Sequence, residues 1–239
     1  MHTIGEEARQ LAAAVVEAAG KVSGRDVMIA PPYTALTAVK DVLDGTNVIL
    51  GAQNVHWEEK GAFTGEISGP MLKDIGCTMA IVGHSERRHI FGETDTMINK
   101  RVLGALQFGL TPVLCIGETL EERESELTLK VLENQVRYGL SGVKLYNGGR
   151  IVVAYEPVWA IGTGKTATET QAQEAHNFIR KLLTDLYEKN IAGQVRILYG
   201  GSVKPENIDI LMQQDDIDGA LVGGAALKGE VFERIICFE

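Results

Sequence analysis

Residues 151–168 read IVVAYEPVWAIGTGKTAT, and this stretch predicts both a fold class and a chemistry. The β-branched and apolar residues up to Tyr155 predict a buried strand that ends on one carboxylate, Glu156. Pro157 stops the strand because proline has no N–H to give to a sheet. A short apolar segment follows, between glycines, and Thr168 is expected to cap the next helix. A carboxylate on a rigid strand end beside such a loop is typical of a proton-transfer enzyme with a closing lid.

One motif inside this stretch is misleading. Gly164, Lys165 and Thr166 resemble the end of a nucleotide-binding P-loop. That motif also requires a glycine at position 159, which is Trp159 in this chain. We therefore do not expect a nucleotide site here.

The composition excludes several classes of protein. The 239 residues carry a formal net charge of −9, which argues against a general nucleic-acid binder because the phosphate backbone repels it. An anionic substrate must then be attracted by local groups. The sequence contains neither an apolar run near the ~18 residues of a membrane span nor a signal-peptide pattern at its start. The cysteines form no zinc or disulfide pattern, which favours a reducing, cytoplasmic location.

Strand-like runs alternate with helical patterns along the chain, which predicts a parallel sheet with both faces covered. We expect the helices at 3–20, with Thr3 and Glu6 as a capping box, and at 119–138, 167–190 and 230–239. The expected strands are 26–30, 47–51, 79–83, 111–117, 150–155, 194–199 and 218–222.

This alternation predicts a (β/α)8 barrel formed by one domain over residues 1–239. Such a barrel has eight strands, and the first complete element of this chain is a helix that begins near Thr3. The segment 230–239 reads as a final helix and supplies no replacement strand. We therefore expect a barrel that lacks its opening strand, with exposed pairing edges at Asp26 and Asp218.

Two titratable residues lie where a barrel enzyme has its active site, at the carboxyl ends of strands. His84 precedes a predicted helix start, which would keep its imidazole neutral and able to donate a hydrogen bond to a developing oxyanion. The alternative is a histidine that satisfies backbone groups, beside a structural Glu86–Arg87 ion pair. Glu156 could likewise be a buried carboxylate paired with a structural cation. The presence of both residues at strand ends favours catalysis.

Two glycine-rich turns follow the last two predicted strands, at 200–202 and 223–224. Free backbone N–H groups, a serine hydroxyl and a following helix start form an anion cradle. Barrels commonly bind phosphate at these two positions. The pair of turns therefore indicates a phosphate site.

The remaining candidates have ordinary interpretations. Cys115 lies inside a predicted strand and is expected to be a small core residue. Glu118 and the residues 121–124 are expected to start a helix and form its solvated face. The histidines lack metal-ligand spacing, so we expect no metal.

Four motifs resemble those of the triosephosphate isomerase family. They are AYEPVWAIGTG at 154–164, GHSERR at 83–88, YGGS at 199–202 and LVGGA at 221–225. The resemblance runs in order over essentially the whole chain, and the first motif is highly specific. It implies a TIM barrel and the interconversion of dihydroxyacetone phosphate and glyceraldehyde 3-phosphate, in glycolysis and gluconeogenesis.

The resemblance also implies roles for individual residues. Glu156 would move the proton, His84 would polarise the carbonyl, Glu86 would support the site, and residues 157–166 would form the lid. The resemblance further implies a homodimer in which Thr64 reaches the partner's active site, without cofactor or metal. The substrate phosphate would rest on Gly162, Ser202, Gly223 and Gly224.

One departure from the family pattern concerns the first strand, which ends in an Asn-Trp-Lys-Met motif in the family. This chain begins Met1-His2-Thr3, which looks like the residues just after that lysine. We expect a truncated product or a misplaced start, with little activity as written, because the lysine is a cation facing a charged transition state.

Two other functions stay open at this level. One is a non-catalytic barrel that binds phosphate or a protein partner through the glycine turns. The other is a different phosphate-binding barrel enzyme, such as one of amino-acid biosynthesis. Binding of phosphoglycolate, a planar enediolate mimic, would separate the isomerase from both.

Overall fold

Seven parallel strands form one sheet in residues 1–162 and 166–239, which the computed structural model describes. The sheet order follows the chain order, and every pairing is parallel. Each expected strand is confirmed, with narrower bounds except at β2, which extends one residue further than expected, to Ala52. The strands are β1 Met28–Ile29, β2 Ile49–Ala52, β3 Met79–Val82, β4 Thr111–Ile116, β5 Val152–Tyr155, β6 Arg196–Tyr199 and β7 Gly219–Ala220.

This arrangement is that of a (β/α)8 barrel, in which sequential parallel strands are joined by helices that cover the outside. Within the described residues, β1 and β7 each pair with one neighbouring strand. The helices in the same residues are α1 Gly5–Gly20, α2 Leu36–Leu43, α3 Gly69–Ile75, α4 Ser85–His89, α5 Asp95–Gln107, α6 Leu120–Glu124, α7 Thr128–Gly139, α8 Glu169–Leu186, α9 Lys189–Ala192, α10 Ile208–Met212 and α11 Gly229–Ile236.

The first helix begins differently from the expectation. The capping box of Thr3 and Glu6 is wrong, because the Thr3 hydroxyl donates to the His2 carbonyl at 2.6 Å. Instead, the Glu7 carboxylate accepts from the Ile4 N–H at 3.1 Å. An acidic side chain still stabilises this helix start, one residue further along.

Two expected helices are each divided in two. The region 119–138 contains α6 and α7, separated where Glu126 takes a left-handed φ of +60°. The region 167–190 contains α8 and the short α9. The expected cap at Thr168 is confirmed: its Oγ1 accepts from the Gln171 N–H at 3.2 Å, and the Gln171 side chain accepts from the Thr168 N–H at 3.1 Å.

The alternation of side chains along the strands divides the core into two parts. The larger part lies between the sheet and the helices and includes Tyr155 and Tyr199. The smaller part lies on the other face of the sheet and includes Cys115, so its expected core position is confirmed. Its buried members are Ile81, Val113, Cys115, Val152 and Ala154.

Candidate active site

The predicted catalytic residues lie at the carboxyl ends of the strands. His84 follows β3 after one glycine, and Glu156 follows β5 directly. Because all strands are parallel, their carboxyl ends lie together at one end of the barrel. Ser202 follows β6, and Gly223 and Gly224 follow β7, on the same side.

The carboxylate of Glu156 is held against the start of α4. It is 2% exposed, its Oε1 lies 2.9 Å from His84 Nε2, and its Oε2 accepts from the Ser85 N–H at 2.9 Å. The structure therefore brings together the two residues that sequence analysis selected from separate motifs. A buried carboxylate with two such donors is oriented before any substrate arrives.

Two glycines make room for Glu156. A Cβ on Gly117, just after β4, would lie 1.7 Å from the Glu156 carbonyl oxygen. A Cβ on Gly200, just after β6, would lie 2.9 Å from Glu156 Cγ. The backbone also fixes this position, because the Glu156 N–H donates to the Ile116 carbonyl at 2.7 Å. Neighbouring strands thus determine where the carboxylate lies.

The hydrogen bonds of His84 select one neutral tautomer of its ring. Nδ1 accepts from the Glu86 N–H at 3.4 Å, so the proton of the neutral ring is assigned to Nε2, which faces Glu156. An imidazole in this tautomer can donate a hydrogen bond to an oxygen at the site.

The pKa of His84 differs in direction from the expectation of a neutral ring. Burial lowers it, but the hydrogen bond and charge of Glu156, together with the charge of Glu86, raise it, and the net shift is upward. With the Glu156 carboxylate against the ring, protonation of His84 is favoured rather than opposed.

Glu86 lies beside the His84 ring but is largely exposed to solvent. Its side chain is 67% exposed, and its carboxylate lies 3.8 Å from His84 Nδ1. The alternative interpretation of this turn, a structural Glu86–Arg87 ion pair, is wrong. Arg87 instead pairs with the buried Glu93 at 2.7 Å. Glu86 therefore faces the histidine ring and solvent.

Sequence analysis missed Glu118, which was expected at a solvated helix start. It is fully buried and accepts hydrogen bonds from the Tyr155 hydroxyl at 3.1 Å and the Trp159 indole at 2.9 Å. Arg123 pairs with it at 3.1 Å. The usable signal was its position near the end of the apolar strand β4, like that of Glu156 after β5.

The segment after Glu156 forms a short 3-10 helix, Val158–Ala160, that is tied to Glu118. The Val158 N–H donates to the Glu118 carbonyl at 3.0 Å, beside the indole contact of Trp159. Gly162 follows with a left-handed φ of +67°, which favours glycine. Of the expected lid, residues 163–165 lie outside the described residues.

The expected phosphate-binding residues lie on the catalytic side of the barrel. Gly162 is exposed after the 3-10 helix, and Ser202 is half-buried. Gly223 and Gly224 are exposed at the start of a 3-10 helix, Gly224–Leu227. Their position agrees with the expectation, and phosphate binding by them stays a prediction.

Thr64 lies at the exposed tip of a turn, in which the Glu66 N–H donates to the Phe63 carbonyl at 3.0 Å. Gly65 has the positive φ, +90°, that such a turn requires at its third position. The base of this loop is tied down by Arg101, whose side chain is 3% exposed and pairs with Glu66 at 3.0 Å.

Metal-binding clusters and membrane-spanning helices are both absent from residues 1–162 and 166–239. In this part of the chain, no group of three or more histidine, cysteine, aspartate or glutamate side chains could hold a metal ion. In the same ranges, no helix is both long and apolar enough to cross a membrane.

Comparison with known proteins agrees with this geometry. The family model described as triosephosphate isomerase matches residues 1–239. The triosephosphate isomerase of Syntrophotalea carbinolica is 54% identical over 239 residues, which cover 100% of this chain and 95% of that protein. That of Carboxydothermus hydrogenoformans is 54% identical over 236 residues, which cover 99% of this chain and 94% of that protein.

A solved structure shows the same fold. The crystal structure of triosephosphate isomerase from Bartonella henselae matches with a TM-score of 0.89 and 38% identity, covering 99% of this chain and 94% of that chain. Both the sequence and the barrel are therefore matched almost from end to end, and this chain belongs to the triosephosphate isomerase family.

Proposed function

We propose that this chain interconverts dihydroxyacetone phosphate and glyceraldehyde 3-phosphate, as an aldose–ketose isomerase. The observation that carries the proposal is the contact of 2.9 Å between Glu156 Oε1 and His84 Nε2 at the carboxyl ends of β3 and β5. It places a base and a hydrogen-bond donor side by side, with the unused ring nitrogen already satisfied.

In the proposed reaction Glu156 removes a proton from the carbon beside the substrate carbonyl. The electron pair of that C–H bond forms a carbon–carbon double bond, and the carbonyl oxygen takes the negative charge. His84 Nε2–H donates to this oxygen and lowers the energy of the enediolate. A proton then passes from the neighbouring hydroxyl oxygen to the former carbonyl oxygen, and that hydroxyl oxygen becomes the new carbonyl. Glu156 returns its own proton to the former carbonyl carbon, so the reaction balances without a redox partner or cofactor.

The starting arrangement constrains how substrate enters. Glu156 occupies the donor of His84 and accepts from the Ser85 N–H. A substrate oxygen can bind His84 Nε2 only when the carboxylate leaves it. We infer that substrate binding displaces Glu156 from the start of α4 toward the reacting carbons. The released Ser85 N–H then becomes one further donor at the site.

The substrate phosphate is proposed to bind the exposed turns at Gly162, Ser202 and 223–224. The net charge of −9 means that the protein as a whole does not attract a phosphorylated sugar, so local backbone N–H groups must do so. Glycine supports this role because backbone can approach an anion closely where no side chain intervenes.

We further propose a cytoplasmic homodimer with Thr64 at the interface. Three apolar side chains are exposed near this loop and near the end of α4: Phe63 is 42%, Ile90 is 73% and Phe91 is 66% exposed. Such residues are typical of a surface that a partner covers.

The test is a coupled isomerase assay on the parent chain, Glu156→Gln and a control, Glu133→Gln. Glu133 lies on α7 in exposed pairs with Lys130 and Arg137. Loss of the base is expected to lower kcat roughly 10²–10⁴-fold, while the control stays within twofold of the parent. Full activity of Glu156→Gln would overturn the assigned role.

Phosphoglycolate binding, measured by calorimetry, separates the competing functions. Binding together with parent activity supports the isomerase. The other outcome is a parent without turnover that binds phosphoglycolate no more tightly than inorganic phosphate. It would favour a non-catalytic phosphate-binding barrel.

A further inference from the structure

Arg88 connects two strand ends behind the catalytic pair. It lies in α4, and its side chain is 9% exposed. Its Nε donates to the Gly83 carbonyl at 2.8 Å, and its Nη2 donates to the Cys115 carbonyl at 2.9 Å. Its Nη1 donates to Asp95 Oδ1 at 2.7 Å. Each guanidinium nitrogen therefore has its own partner.

The two carbonyls stand at the same level of the sheet. The β3–β4 register ends with Val82 opposite Leu114. Gly83 and Cys115 are the next residues on the two chains, so they would form the following step of the register. The rigid, planar guanidinium spans them where the strand pairing ends. Arg88 thus joins β3 to β4 at the edge of the active site.

On the β3 side, this contact fixes the backbone that carries His84. The Gly83 carbonyl belongs to the peptide unit that joins Gly83 to His84, so holding this oxygen holds the plane of the peptide. Gly83 has a φ of +72°, and a Cβ there would lie 3.2 Å from Arg88 Nη2. The turn that leads to His84 is therefore shaped around the guanidinium.

On the β4 side, the contact reaches Glu156 through the backbone. The Cys115 carbonyl shares a peptide unit with Ile116, and the Ile116 carbonyl accepts from the Glu156 N–H at 2.7 Å. Burial and the charge of the Glu156 carboxylate also raise the pKa of the Cys115 thiol. A shift of the Cys115 backbone would therefore move the base.

We propose that Arg88 is a positioning residue for the isomerase reaction. By bridging the carbonyls of Gly83 and Cys115, its guanidinium sets the distance between His84 and Glu156. The expected effect of Arg88 on kcat rests on the proposed function. The placement of the His84 ring against Glu156 does not depend on turnover.

The contact with Asp95 provides a matched control. Asp95 is 35% exposed at the start of α5 and lies on the outer side of the guanidinium. Asp95→Asn removes the ion pair and leaves both carbonyl contacts in place. Arg88→Lys does the opposite: it keeps the positive charge, but a single ammonium group cannot reproduce the planar fork.

The experiment compares kcat, KM and the ring ¹⁵N signals of His84 in the parent, Arg88→Lys and Asp95→Asn. Arg88→Lys is expected to lower kcat at least tenfold with KM within twofold, because positioning of the base and donor affects the reaction step. It is also expected to shift the His84 signals in the free protein. Asp95→Asn should leave all three quantities close to the parent values.

Parent-like kcat and His84 signals in Arg88→Lys would overturn the proposal, as would equal losses in both variants. If Arg88→Lys does not fold, Arg88→Gln takes its place, since its shorter side chain has a single donor nitrogen and cannot bridge the two carbonyls as the guanidinium does. A parent without turnover would contradict the proposed function alone, because the His84 signals would still report whether Arg88 positions the ring.

Discussion

At the residue scale, the site depends on positions where no larger side chain fits. Glu156 follows β5 at a point where the neighbouring strand ends leave space only for glycine, at Gly117 and Gly200. The closeness that excludes a Cβ also lets the backbone of adjacent strands meet, as in the hydrogen bond of 2.7 Å from the Gly200 N–H to the Tyr155 carbonyl. The close packing of these strand ends therefore also fixes the position of the Glu156 carboxylate.

Gly117→Ala is expected to destabilise the fold by about 1–3 kcal/mol and to lower kcat at least tenfold, because the new Cβ must displace the Glu156 backbone. Thermal unfolding and the isomerase assay measure the two effects. The control is Gly20→Ala at the end of α1, where a Cβ meets nothing within 4 Å. A Gly117→Ala variant with parent activity would show that Glu156 tolerates the displacement.

A second residue-scale effect concerns His176, which is fully buried in α8 beside the rings of Tyr155 and Tyr199. Burial lowers the pKa of His176 from 6.5 to about 4. The folded protein therefore binds this proton less readily than the unfolded chain. The contribution to stability is complete above about pH 6.5 and is lost as the pH falls toward 4.

Between pH 7.5 and 5 this titration is expected to remove about 2 kcal/mol from the free energy of unfolding. Urea unfolding of the parent and of His176→Gln at both pH values isolates the effect, since glutamine does not titrate. The loss on acidification should be smaller in His176→Gln. Equal losses in the two proteins would assign the pH dependence to other groups.

At the scale of elements, one buried carboxylate joins three segments around the site. Glu118 follows β4 and contacts Tyr155 at the end of β5, Trp159 in the 3-10 helix and Arg123 in α6. The Arg123 guanidinium also lies over the Trp159 ring, 4.7 Å from its centroid. These contacts hold the segment after Glu156 in its present position.

Glu118→Ala is expected to destabilise the fold by about 3–5 kcal/mol, because it removes the buried carboxylate that pairs with Arg123 and accepts from Tyr155 and Trp159. Chemical denaturation measures this change. The comparison variant is Glu124→Ala, on the exposed side of α6, which should alter stability by less than about 0.5 kcal/mol. Similar values for the two variants would contradict a joining role for Glu118.

At the scale of the whole molecule, the exposed Phe63 ring beside Thr64 supports the proposal of a second copy as the partner. The turn is fixed at Glu66 by an ion pair with the buried Arg101, which also contacts the buried Glu93, both at 3.0 Å. A loop fixed in this way loses little conformational entropy when a partner binds.

Phe63→Asp is expected to weaken self-association at least tenfold, because a charge would replace an aromatic ring in the proposed interface. Light scattering coupled to size-exclusion chromatography measures the mass as a function of concentration. Leu129→Asp is the control, since Leu129 is 51% exposed on α7, away from this loop. Unchanged mass in Phe63→Asp would place the interface elsewhere.

Most of the architecture was predictable from local patterns. The strands are short runs between turn residues, of which β2 to β5 are largely buried, and these runs occur in the order that the sheet follows. The motifs around His84 and Glu156 identified the candidate catalytic pair, because both lie at strand ends. Residues 1–239 as one domain, and phosphate binding by Gly162, Ser202, Gly223 and Gly224, stay predictions.

The sequence by itself therefore determined the order of strands, the covering helices and the choice of His84 and Glu156 as the proposed catalytic residues. The tertiary structure alone decided the partners of the charged residues: Glu118 with Trp159, Arg87 with Glu93, and Arg88 with the carbonyls of Gly83 and Cys115. The physical reason is the separation along the chain of the residues that interact. Strands and helices follow from neighbouring residues, whereas a buried charge must be satisfied by whatever groups the folded chain brings within about 3 Å.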